Sequence, residues 1–124
     1  MRYMMIVKHK ENQGPAPKAL MEAIGKLAQE ESKTGKLLAN GGLKPTDLGA
    51  RVRLAGGKVN VSDGPFTEAK EIIGGYAEFE FQSKEEAVQA AVGFMELHRQ
   101  HWPGWEGETE VRQMYGPGEM PPTK

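Results

Sequence analysis

Apolar positions along this chain fall into short blocks whose spacing switches between two periods. Residues 3–8 read as a strand: Tyr3, Met5 and Val7 alternate with Met4 and Ile6, so both faces are apolar, as in a central strand. A loop of turn formers occupies 11–16. Leu20, Ile24, Leu27 and Ala28 then recur at helical spacing and predict a helix over 17–34, opened by Pro15 and Pro17 and closed by Gly35 at the C′ position. Residues 37–39 form a short strand leading into Asn40-Gly41-Gly42. Residues 50–62 predict a β-hairpin around Gly56-Gly57, a pair able to take the positive φ of a type I′ turn. Counting outward from that turn pairs Leu54 with Val59 and Val52 with Val61, all on one face.

Beyond a loop over 62–75, Ala77, Phe79 and Phe81 alternate with Glu78, Glu80 and Gln82, a half-buried strand. Ser83 with Glu86 three residues on is a capping box. The helix it opens runs to about His101, carries Ala87, Val88, Ala91, Val92 and Met95 on its apolar face, and stops at Pro103. Residues 109–115 read as a last strand and 116–124 as a Pro/Gly-rich tail. The order is β-α-β, a hairpin, then β-α-β: an α+β domain over 1–115 of the ferredoxin-like split βαβ kind with an inserted hairpin. Both helices would cover one sheet face, leaving apolar side chains on the other, and an uncovered apolar face marks an interface.

Composition narrows the function. The chain has 124 residues, a net charge of -1 and no cysteine. Disulfides, thiolate metal sites and cysteine nucleophiles are excluded. Lysine and arginine are scattered, which argues against a nucleic-acid partner. No apolar run is long enough to span a membrane, and no secretory leader is legible, so a cytoplasmic location is expected.

The stretch from Val61 through Asp63-Gly64-Pro65-Phe66 to Gly74-Gly75-Tyr76 resembles the signature of the YCII-related (DGPF) family. Tyr3-Met4-Met5, the Leu37-Leu38…Gly42-Leu43-Lys44-Pro45 stretch and Ala50-Arg51-Val52-Arg53 are similar to it too, so the resemblance covers nearly the whole chain to about Tyr115. It implies a dimeric α+β barrel with a cleft near the Asp63 loop. It also implies kinship with small lyases or isomerases, and with proteins encoded beside extracytoplasmic-function sigma factors. The better-studied branch is thought to use a His-Asp pair; this chain has Asp63 but no histidine in its first helix.

Asp63, at a strand end, reads as a general acid or base, or as ordinary Asp-Gly-Pro turn chemistry. His9, ending the first strand, is the second acid-base candidate. Phe66 and Tyr76 would line a pocket or belong to the core. Arg51 and Arg53 would grip an anion, or guard a β edge. Lys70, close to Glu68, would tune a proton donor, or form a surface ion pair. His98-x-x-His101 puts two imidazoles on one helical face, but no third ligand is set by spacing, and a histidine at a helix C-terminus also suits the macrodipole. No metal or cofactor is expected, and Gly74-Gly75 fits a bulge better than a phosphate loop. Two readings stay open: a cofactor-free acid-base enzyme on a small molecule, of lyase or isomerase type, and a non-catalytic ligand-binding or regulatory homodimer that, as the resemblance implies, acts with an extracytoplasmic-function sigma factor.

Overall fold

The computed structural model describes residues 1–123; Lys124, the last residue of the expected tail, lies outside the described residues. Its elements are β1 (Arg2–His9), α1 (Lys18–Lys33), β2 (Leu37–Gly42), β3 (Ala50–Ala55), β4 (Lys58–Asp63), β5 (Ile72–Glu80), α2 (Lys84–His101) and β6 (Gly107–Gln113). Four strands form one antiparallel sheet in the order β2-β5-β1-β6, and β3 pairs with β4 in a separate hairpin. This is the α+β, ferredoxin-like arrangement with an inserted hairpin that the element order predicts.

Local chemistry sets the boundaries. The end of α1 is a Schellman motif: Gly35 takes φ +77°, its N–H donates to Ser32, and the Lys36 N–H donates to Glu31. Ser83 caps α2, its hydroxyl accepting from the Glu86 N–H at 3.1 Å. Gly56 and Gly57 both have positive φ, and the hairpin pairs Leu54 with Val59 and Val52 with Val61, the register counted from the sequence.

The core lies at one end of the helix-covered face. Tyr3, Met5, Phe79, Phe81, Ala87 and Ala91 form its buried cluster, with Phe79 and Phe81 stacked at 4.9 Å. The alternating pattern of β1 is thereby resolved: Tyr3 and Met5 face the helices, while Met4 and Ile6 pair across the opposite face with Glu78 and Tyr76. Helix α1 buries Leu20 almost completely. The face expected for α2 needs correction. Its buried residues are Ala87, Ala91 and His98, with Ala90 also packed on the core, whereas Val88 and Val92 are 37% and 47% exposed. The alanines let α2 approach the sheet closely, and the aromatics of β5 and the Phe81 beyond it fill the remaining space.

Candidate functional site

The core stops halfway along the sheet because the side chains facing the helices shrink. Along β5 they run from Phe79 to Ala77 to Gly75. On β2, Asn40 pairs with Ala77 and Gly42 with Gly75. Two glycine pairs distant in sequence, Gly41-Gly42 and Gly74-Gly75, thus meet on neighbouring strands. Above them is a cavity of about 340 Å³, walled by Met21, Ile24 and Ala28 from α1 and Phe94 and His98 from α2.

Histidines and tryptophans close its far end. His9 points from the last position of β1 into the space left by Gly74, where a Cβ would stand 2.3 Å from its Nε2. Gly74 is the extra residue of a β-bulge, between the Val7–Gly75 and Lys8–Ile73 pairs. Trp102-Pro103-Gly104-Trp105 forms a turn in which the Trp105 N–H donates to the Trp102 carbonyl and Gly104 takes φ +88°, the requirement of a type II turn. The two indoles stack at 5.9 Å. Trp105 lies 4.5 Å from the His98 ring and 5.9 Å from the His9 ring, and Gly107 leaves room for it.

His98 is 7% exposed. Its Nδ1 lies 3.0 Å from the Phe94 carbonyl oxygen, and that of His9 lies 2.7 Å from the Lys10 carbonyl oxygen. Burial pushes the His98 imidazole below its ordinary value; the Phe94 carbonyl opposes this and the charge of His9 adds to it. Glu31 stands at the other end of the cavity, its carboxyl raised by burial against the pull of Lys36. Among the described residues no three His, Asp or Glu side chains are grouped as a metal site.

The seven residues singled out from sequence separate into different places. His9 lines the cavity, whereas Tyr76 borders it from β5 and turns its ring to the opposite face, over Gly41 on the paired strand. Arg51, Phe66 and Glu68 gather at the base of the hairpin: the Arg51 guanidinium sits 3.9 Å above the Phe66 ring and pairs with Glu68. Asp63 ends β4 opposite Ala50 and is exposed, as are Arg53 and Lys70. The lining of this cavity includes none of Asp63, Phe66, Arg51, Arg53 and Lys70.

The Asp63 loop is instead seated on a polar clasp. The Thr46 hydroxyl donates to Glu11 at 2.6 Å and accepts the Phe66 N–H at 3.0 Å. The Thr46 N–H donates to the other Glu11 oxygen at 2.7 Å. The Thr46 hydroxyl, then its N–H, hold the Glu11 carboxyl below the usual carboxylate range. The sequence reading missed Trp102, Trp105 and the inward placement of His98; a Pro-Gly turn flanked by two tryptophans was the available signal.

A family model for the YCII-related domain matches residues 1–94. An uncharacterised protein of Rhizobium meliloti is similar to this chain, 31% identical over 104 residues that make up 82% of this chain and 80% of the relative. The match spans β1 through most of α2, and with it the strands and helices that frame the cavity: the chain belongs to the YCII-related domain family.

Proposed function

We propose that this protein binds a small, flat, largely apolar organic molecule between its helices and its sheet, and performs cofactor-free acid-base chemistry on it at His9. The observation that carries this reading is the cavity. The concave space of about 340 Å³ beside a well-filled core is partly open to solvent and so is accessible to a ligand. Ligand sites have this form: apolar and aromatic walls with a few convergent polar groups, and this one lies at the small end of their size range. His9 is suited to proton transfer because its ring is oriented by the Lys10 carbonyl and its position is set by the bulge at Gly74. Asp63 remains a separate acid-base candidate outside the cavity.

Both tryptophans of the chain line the cavity, so their fluorescence reports its occupancy. Titration with nitrobenzene, a flat neutral quencher, should give saturable quenching. Ala77→Phe, which fills the floor of the cavity, should abolish it while the circular dichroism spectrum is kept, and Asp63→Asn should leave it unchanged. Quenching that never saturates, or that survives Ala77→Phe, would remove the reading.

A non-catalytic dimer is the second reading, and a separate observation favours it. Val52, Leu54, Val59 and Val61, on one face of the hairpin, are each between 65% and 73% exposed. On the face of the sheet away from the helices, Ile73 and Tyr76 are exposed as well, beside the partly covered Met4 and Ile6.

A further inference from the structure

We infer that the molecule taken into the cavity is a neutral weak acid, a phenol or an enol, which donates a hydrogen bond through its hydroxyl to a histidine of the cavity. The inference rests on the cavity being the ligand site and adds the chemical class of the ligand. A carbonyl oxygen can only accept a hydrogen bond. With Nδ1 of His9 set against the Lys10 carbonyl and Nδ1 of His98 against the Phe94 carbonyl, each ring carries its proton on Nδ1. In the neutral rings both Nε2 atoms are therefore bare acceptors, and the partner they call for is a donor.

The charge of the lining excludes the other common classes. It contains no lysine or arginine, so a carboxylate or phosphate would be buried without a counter-charge. An ammonium ion at the imidazoles would be isolated too. Glu31, the carboxylate of the lining, lies by Ala90, and His98 is two turns further along α2, about 12 Å at 1.5 Å per residue. A neutral hydroxyl on a flat ring meets both conditions: the ring packs against Trp105, Phe94 and the glycine floor, and the hydroxyl meets Nε2. The hydroxyl stays intact on binding: its O–H donates to Nε2, and no charge is created inside the cavity.

Four probes that share one aromatic body test this on the unaltered chain: 4-nitrophenol, its methyl ether 4-nitroanisole, 4-nitrobenzoate and 4-nitrobenzylamine. They are titrated by calorimetry in buffer acidic enough to keep free 4-nitrophenol neutral. The phenol should bind at least about tenfold more tightly than the ether, a difference of about 1.4 kcal/mol. The benzoate and the amine should bind more weakly than the ether. His98→Phe and Gly74→Ala, the second of which displaces the His9 ring, should each narrow the gap between phenol and ether. Equal binding of phenol and ether would overturn the inference and leave the cavity reading standing, as would tightest binding by the benzoate or the amine. Failure of all four to bind would overturn both.

Discussion

His98 shows how a single side chain ties the fold to the site. It is buried in α2, donates to the Phe94 carbonyl, and is faced by the rings of Phe94 and Trp105. Its pKa in the folded protein lies below the ordinary value of 6.5, chiefly through burial. In the unfolded chain the proton binds more readily, so this histidine's contribution to stability is complete above 6.5 and is lost as the pH falls from there toward the folded-state value. The urea midpoint should accordingly drop between about pH 7 and about pH 5, and His98→Phe should flatten that part of the profile. A profile of unchanged slope in the variant would mean that His98 is not the group being titrated. Spacing alone had suggested a pair with His101 or a contact with the helix dipole. The rotation of α2, set by small alanines rather than by the more apolar valines, turned His98 inward instead.

At the scale of elements, the Asp63-Gly64-Pro65-Phe66 loop is held by packing that its own composition explains. The Gly64 N–H donates to the Gly49 carbonyl at 2.8 Å, and a Cβ on Gly64 would fall 1.6 Å from the Thr46 carbonyl oxygen. Only glycine fits there, because the obstacle is backbone that is itself pinned by Glu11. Gly64→Ala should destabilise the protein by about 1–3 kcal/mol, the usual range for overpacking, as read from chemical denaturation. A variant as stable as the parent would mean that the loop is not seated on Thr46. The hairpin beside this loop was legible in full, since its turn and register depend on residues adjacent in the chain. The clasp was not, because Glu11, Thr46 and Phe66 are far apart in sequence and none of them announces a partner.

The whole molecule presents an apolar surface that a single copy leaves bare. A two-stranded hairpin is marginally stable alone in water, and the apolar side of β3 and β4 has no cover. Each such side chain that becomes fully buried gains about 1.5–3 kcal/mol. Val52, Leu54, Val59 and Val61 of the hairpin, with Ile73 and Tyr76 of the larger sheet if both were covered, would contribute on the order of 600 Å² from each of two copies at ~100 Å² apiece. The resulting total of about 1,200 Å² reaches the lower end for a stable interface. Twofold pairing of two such chains is the simplest closed arrangement. Light scattering at micromolar concentration should report twice the chain mass, and Leu54→Lys with Val61→Lys should give a folded monomer. A parent chain that scatters as a monomer would refute the homodimer.

What the sequence determined by itself is what local backbone physics controls: the order of the elements, the hairpin's turn and register, the glycine stop of α1 and the serine cap of α2. Each depends on a φ restriction, a period of two or 3.6, or a hydrogen bond within a few residues. Tertiary structure alone decided the site. Gly41-Gly42 and Gly74-Gly75 read as turn and bulge signals until sheet pairing sets them side by side and opens the floor of a cavity. His9 and His98, from the first strand and the second helix, meet only around Trp105. A void is a property of how strands pair and helices settle over them, and no stretch of sequence contains it.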